Sequence, residues 1–314
     1  MRKILINDGI EESGLKMLVD AGFEVNTNKI SQENLMHELN GYDAICVRSA
    51  TKVRKELIDA SPNLKVIARG GVGMDNIDVD YARSKGIEVI NTPAASSRSV
   101  AELAFAHILT LSRLLHLSNR AMPVSGNTSF DELKKKCAGG HELEGKTLGV
   151  IGMGRIGQEA MKIGIAMGME VIGYDPFVDE ITINFGSAKF NAKATIPCTS
   201  LNELLITSDF ITLHVPGKEK AILGNDEFSR IKKGAIVVNC ARGGVIAEEA
   251  LLDALNNGTL AGAGLDVFEG EPRPRQEILT HPKISLSPHI GASTAAAQEK
   301  VGGELASQLI KILG

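Results

Sequence analysis

Three residues able to do chemistry stand just beyond apolar runs in the last third of the chain. Residues 235–240 lead into Ala241-Arg242-Gly243-Gly244, residues 261–267 into Phe268-Glu269-Gly270-Glu271-Pro272, and residues 284–287 into Pro288-His289-Ile290-Gly291-Ala292. Each run reads as a strand, and ligands gather outside the carboxyl ends of strands in open α/β sheets. An imidazole titrates near neutral pH and suits the removal of an alcohol proton. A carboxylate bonded to its second nitrogen orients the ring and stabilises the imidazolium. A guanidinium grips a carboxylate through two bonds and polarises a neighbouring carbonyl. His289, Glu271 and Arg242 are therefore candidates for the oxidation of a secondary alcohol by hydride transfer. Taken singly, each also has a plain reading, as a turn arginine, a solvated glutamate and a structural histidine. His214 is the rival base. It precedes Val215-Pro216-Gly217 rather than a polar turn, so it reads as lining a cofactor site. His37, His107, His116, His141 and His281 have no comparable context.

A hydride needs an acceptor, and residues 146–157 supply the pattern that holds one. The strand Thr147–Ile151 runs into Gly152-Met153-Gly154-Arg155-Ile156-Gly157, and a helical pattern follows. Gly152 permits the tight turn, Gly154 lets backbone amides approach a pyrophosphate, and Gly157 allows the helix to pack close to the strand. The next strand, residues 170–174, delivers Asp175, 23 residues after Gly152. A carboxylate there accepts both ribose hydroxyls and repels a 2′-phosphate, which favours NAD over NADP.

Groups held in this way require repeated strand–helix units. Short β-branched runs at residues 3–7, 24–27, 44–47, 66–69 and 89–91 alternate with amphipathic stretches at 12–21, 32–40, 54–60 and 79–85. A second series of strands is expected at 147–151, 170–174, 210–214, 235–239, 261–265 and 284–286. The fold class is α/β, with two doubly wound parallel-sheet domains. A flavodoxin-like substrate domain takes residues 1–97 plus 292–314, and a Rossmann NAD domain takes 98–291. Residues 99–119 read as one long apolar helix of about 30 Å, 123–143 as irregular, and 294–313 as a helix returning to the first domain.

The 314 residues suit two domains, and 43% hydrophobic with 23% charged residues is an ordinary globular balance. With 34 basic and 38 acidic residues the net charge is −4. No general basic field is present to attract nucleic acid or an anionic membrane. The four cysteines are scattered, no metal-ligand spacing occurs, and no apolar run approaches a membrane span. The N-terminus reads as a strand rather than a signal peptide, so a cytoplasmic enzyme with reduced thiols is expected.

Taken together, the chain resembles the D-isomer-specific 2-hydroxyacid dehydrogenase family over nearly its whole length. The resemblance rests on the glycine fingerprint and five further segments. They are Val47-Arg48-Ser49-Ala50-Thr51-Lys52-Val53, Arg69-Gly70-Gly71-Val72-Gly73-Met74-Asp75-Asn76-Ile77-Asp78, Asn239-Cys240-Ala241-Arg242-Gly243-Gly244, Leu265-Asp266-Val267-Phe268-Glu269-Gly270-Glu271-Pro272 and Ser287-Pro288-His289-Ile290-Gly291-Ala292-Ser293. The first of these is the most telling for the branch that acts on phosphoglycerate.

The resemblance implies Arg242, Glu271 and His289 as the catalytic residues and NAD as the cofactor. It implies a substrate domain closing on the NAD domain, and a homodimer formed through the latter, largely by residues 99–143. The implied reaction is oxidation of D-3-phosphoglycerate to 3-phosphohydroxypyruvate, which opens the phosphorylated route to serine. Candidate cofactor contacts are Gly152, Gly154, Arg155, Ile156, Gly157, Asp175, His214, Val215, Pro216, Cys240, Ala241, Asp266, Gly291 and Ala292. Candidate substrate contacts are Arg48, Ser49, Arg69, Gly70, Gly71 and Val72, with the amides of Gly70, Gly71 and Gly73 forming an anion nest for the carboxylate. By analogy, Lys135 reaches into the partner subunit's site. Many members carry a serine-binding C-terminal domain, and a chain ending at Gly314 leads to the expectation of no such feedback. Two alternatives remain: a hydroxypyruvate/glyoxylate reductase with the same three residues, and a corepressor-like nucleotide-sensing module.

Overall fold

The computed structural model describes residues 1–187, 190–217 and 220–314. They form two compact units, one of Met1–Ser99 with Ala292–Gly314 and the other of Val100–Gly291.

In the first unit β1 (Lys3–Ile6), β2 (Glu24–Asn26), β3 (Ala44–Val47), β4 (Val66–Arg69) and β5 (Glu88–Asn91) make a parallel sheet in the order β2-β1-β3-β4-β5. All four residues of β3 are buried, as expected of a strand covered on both faces. Alternate side chains divide between the two layers. Ile45 and Val47 pack with Leu35, Leu57 and Ile58 of the helices Gln32–Glu38 and Lys55–Asp59. Ala44 and Cys46 pack with Leu18 of Glu12–Asp20 and with Leu305 and Leu309 of Ala295–Leu313. These last two helices meet at Gly14 and Gly302, where a Cβ on Gly14 would stand 2.6 Å from the Gly302 carbonyl oxygen.

The second unit runs through β6 (Thr147–Ile151), β7 (Glu170–Tyr174), β8 (Glu180–Ser187), β9 (Phe190–Pro197), β10 (Phe210–Leu213), β11 (Ala235–Asn239), β12 (Leu260–Leu265) and β13 (Ile284–Leu286). Six of these form a parallel sheet in the order β13-β12-β11-β10-β6-β7. The chain winds outward in both directions from β6 and β10. The switch point of the sheet therefore lies at the carboxyl end of β6, where the glycine fingerprint begins. Ile236 and Val238 face one core layer and Ala235 and Val237 the other.

Two expectations fail here. Residues 99–119 are not one helix: the helices Ser97–Ser112 and Leu115–Ser125 are bent by 63° at Leu114, which adopts φ +53°. The Ser112 carbonyl accepts the incoming His141 N–H at 2.9 Å, which ends the first helix. The stretch after it is not irregular either, since Phe130–Lys136 is helical. The antiparallel hairpin of β8 and β9 was unforeseen. Its Ile183 and Ile196 are buried, while Thr182 and Thr195 bond each other at 3.1 Å on the exposed face.

No single described helix is long and apolar enough to cross a membrane. Among the described residues no cluster of His, Cys, Asp or Glu could hold a metal ion.

Candidate functional site

The fingerprint closes as its glycines require. Gly152 has φ +95°, and a Cβ on it would stand 2.8 Å from the His214 carbonyl carbon and 2.9 Å from Val215 Cγ1. A Cβ on Gly157 would stand 3.1 Å from the Gly152 carbonyl carbon. Gly154 differs from both. It caps the helix Arg155–Ala166, and nothing lies within 4 Å of where its Cβ would be. The space that a side chain would fill opens onto a helix N-terminus whose first residues are Arg155 and Ile156. Asp175 stands beside this turn, its Oδ2 accepting the Met153 amide at 2.9 Å and its Oδ1 the Phe177 amide at 3.0 Å. The open space, the amides and the carboxylate fit a pyrophosphate and a ribose. Val215 and Pro216 follow β10, and Cys240 and Ala241 lie buried just after β11.

His214 is disqualified as the base. Its Nε2 lies 3.1 Å from Thr212 Oγ1, its Nδ1 is buried without a partner, and burial pushes its pKa down to about 3. A ring so weakly basic stays neutral at working pH.

The three chemistry-bearing residues follow three neighbouring strands whose ends are level, Asn239 pairing with Leu265 and Leu265 with Leu286. The buried Asn239 side chain folds the loop after β11, its Oδ1 accepting the Ala241 amide and its Nδ2 donating to the Arg242 carbonyl, each at 2.9 Å. The Arg242 Nη1 donates to the Ala241 carbonyl at 2.7 Å. Gly243 brings this loop against the next, since a Cβ on it would stand 2.6 Å from the Phe268 carbonyl carbon. Glu271 then accepts the Phe268 amide on Oε1 at 2.8 Å and holds His289 Nδ1 on Oε2 at 2.8 Å. The His289 side chain is 51% exposed and that of Glu271 33%, so the pair opens to a ligand.

His289 sits in the left-handed region at φ +54°. Asp266, 1% exposed, holds that turn: its carbonyl accepts the His289 amide, Oδ1 accepts the Ile290 amide and Oδ2 the Gly291 amide, all at 2.8 Å. Its carboxylate is thus engaged beneath the His289 turn. Ala292 is the first residue of the segment that returns to the other unit. Two residues to which the sequence reading gave no role of their own also shape these loops. Asn239 is one. Glu248 is the other, its Oε1 accepting the Glu269 amide at 2.8 Å while burial pushes its carboxyl pKa up. An amide residue ending an apolar run was the available signal for Asn239.

In the first unit Arg48 and Ser49 line a concavity with Asn7, Asp8, Gly9 and Lys29. The loop is pinned by Asp8, which accepts the Arg48 amide at 2.8 Å and the Thr51 amide at 3.0 Å, and by Asn76, which donates to the Arg48 carbonyl at 2.7 Å. Two of the three amides expected in the anion nest are taken by the protein itself. The Gly70 amide donates to the Val47 carbonyl at 2.9 Å and the Gly71 amide to Thr92 Oγ1 at 2.7 Å. Gly71, at φ +132°, instead leaves room for the Arg69 guanidinium, whose Cζ is 2.9 Å from where its Cβ would be. The Val72 carbonyl accepts Asn91 Nδ2 at 2.7 Å. Lys135 is exposed in the last turn of Phe130–Lys136 with Lys134 and Lys136, opposite Asp131 and Glu132 in the first, an arrangement that also suits the helix dipole.

Two doubly wound units, an open glycine turn beside an acidic strand end and a carboxylate-braced histidine are the features of a dinucleotide-binding protein with an acid–base pair at its strand ends. The model of the D-isomer specific 2-hydroxyacid dehydrogenase NAD-binding domain matches residues 105–291, and the chain belongs to that family, with NAD as its cofactor. It is 42% identical, over all of its own length, to a D-3-phosphoglycerate dehydrogenase of Methanocaldococcus jannaschii, but spans only 58% of that protein. It is 41% identical to a hydroxypyruvate reductase of Thermotoga maritima, covering 99% of this chain and 98% of the relative. Among solved structures, the TT0316 protein from Thermus thermophilus superposes with a TM-score of 0.84 at 30% identity, covering 99% of this chain and 96% of the other.

Proposed function

We propose that this chain oxidises D-3-phosphoglycerate to 3-phosphohydroxypyruvate, as a homodimer, with His289 as general base. The observation that carries the reading is the 2.8 Å contact between His289 Nδ1 and Glu271 Oε2 at the edge of the NAD domain. With Nδ1 committed to the carboxylate, Nε2 is the nitrogen that takes the alcohol proton. Glu271 stabilises the imidazolium that results, and Arg242 grips the substrate carboxylate and draws charge onto the forming ketone. When bound, NAD supplies the acceptor for the hydride leaving the carbinol carbon. Arg48, Ser49 and Arg69 supply the cationic and hydroxyl donors that a phosphate requires in a chain of net charge −4. Exposed Met122, Val124 and Phe130, within the segment implied for dimerisation, support a second copy as partner.

A second reading, reduction of hydroxypyruvate, is favoured by the T. maritima relative, which this chain matches along nearly its whole length. A substrate panel separates the two. A phosphate read by charged donors should give 3-phosphoglycerate a kcat/KM about tenfold to hundredfold above that of glycerate. Equal values, with efficient reduction of hydroxypyruvate, would replace the first reading by the second.

A further inference from the structure

His107 lies in the helix Ser97–Ser112 and is only 4% exposed. Sequence context gave it no role. In the structure β12 yields space for it: a Cβ on Gly264 would stand 2.6 Å from the His107 Cβ. The imidazole lies between two serines, with Nδ1 2.8 Å from Ser285 Oγ and Nε2 2.9 Å from Ser287 Oγ. Ser285 lies within β13, the strand that leads into His289, and Ser287 directly follows it.

The proton positions follow by elimination. Ser287 Oγ donates its one proton to Asp266 Oδ1 at 2.6 Å, because a carboxylate can only accept. It must therefore accept from His107, which fixes the proton on Nε2. Burial lowers the His107 pKa, so the ring is neutral, and its bare Nδ1 accepts from Ser285. A single directed chain results, from Ser285 through His107 and Ser287 to Asp266. Asp266 in turn receives the amides of Ile290 and Gly291 and, on its carbonyl, that of His289.

We infer that His107 is a positioning residue for the hydride-transfer reaction: acting through Ser287 and Asp266, it fixes the left-handed turn that presents His289. This rests on the reading of His289 as the base. A left-handed conformation at a residue other than glycine persists only where its surroundings over-determine it. The Asp266 carboxylate supplies that constraint, and its own orientation depends on every donor that it accepts. His107 is the donor to Ser287, without which that hydroxyl is free to turn away from Asp266.

The test measures NADH oxidation with the fastest 2-oxo acid among pyruvate, hydroxypyruvate and 3-phosphohydroxypyruvate. His107→Leu should lower kcat about fivefold to tenfold, the worth of one orienting hydrogen bond, while the Kd for NADH stays within about twofold. His107→Gln, whose amide can reach as the Nε2 donor does, should recover most of the loss. In a Ser287→Ala background His107→Leu should cost nothing further. A wild-type kcat in His107→Leu, a Gln variant no better than Leu, or additive losses in the double variant would each overturn the proposal. Independently of turnover, 15N-histidine spectra should show His107 neutral with its proton on Nε2, and a proton on Nδ1 would contradict the chain. His289→Ala is measured beside these variants. Full activity there removes the base itself, whereas an inactive His289→Ala with a silent His107→Leu removes only the positioning role.

Discussion

Gly243→Ala tests whether the catalytic loops are held in mutual register by backbone contact. A Cβ at Gly243 would stand 2.6 Å from the Phe268 carbonyl carbon and 3.2 Å from the Glu269 nitrogen, and ordinary contact begins at 3.4 Å. Clearing the carbonyl carbon alone needs a separation of about 0.8 Å, the Phe268 carbonyl oxygen lies nearer still, and the obstacle is backbone rather than a flexible side-chain end. Arg242 is the neighbour of the moved residue on one side. On the other, Phe268 N–H is the donor to the Glu271 carboxylate that braces His289. A displacement of this order at a reacting constellation costs about a hundredfold in rate, and overpacking costs about 1–3 kcal/mol of stability. Steady-state kinetics with NADH and a 2-oxo acid, alongside thermal denaturation, would measure both. The expected result is kcat reduced about a hundredfold in a folded protein that still binds NADH. An alanine variant with wild-type kcat would refute the claim that close loop contact aligns Arg242 with the Glu271–His289 pair.

Three other outcomes are expected. Gly154→Ala meets no protein atom, so its melting temperature should match wild type while the Kd for NADH rises at least about tenfold; unchanged binding would mean that the open space is not the pyrophosphate site. Arg48→Ala should raise KM for 3-phosphoglycerate far more than for glycerate, and equal effects would mean that Arg48 does not read phosphate. His214 is protonated near pH 6.5 when unfolded but only near pH 3 when folded, so it contributes stability above 6.5 that is lost as pH falls through that window. His214→Gln should flatten the acid-side slope of unfolding free energy by up to about 1.4 kcal/mol per pH unit, and parallel curves would contradict its burial as a neutral ring.

Much of the fold was legible because strands buried on both faces become short apolar runs. Ala44–Val47, Val66–Arg69, Thr147–Ile151, Ala235–Asn239 and Ile284–Leu286 lie where those runs place them, and so does the partly exposed edge strand Glu170–Tyr174. The β8–β9 hairpin was hidden by its polar face, although Ile181-Thr182-Ile183 and Ala194-Thr195-Ile196 alternate with the period of a half-buried strand. The break at Leu114 leaves no side-chain signature, because it depends on a backbone bond from His141, 27 residues further on. The same limit applies to the site. Arg242, Glu271 and His289 could be picked out because each follows a strand. The bonds made by Asp266 and His107 exist only once neighbouring strands and a helix are packed together. Gly70, Gly71 and Gly73 read as an anion nest from a glycine run after a strand, and a carbonyl from Val47 and a hydroxyl from Thr92 take the first two of those amides instead.

The most direct test of the account is kcat/KM for NAD-dependent oxidation of D-3-phosphoglycerate by the wild-type enzyme and by His289→Ala. The account predicts readily measured NADH formation in the wild type and a loss of about 10²–10⁴-fold in the variant, the worth of a positioned general base. Equal rates in the two proteins would contradict it.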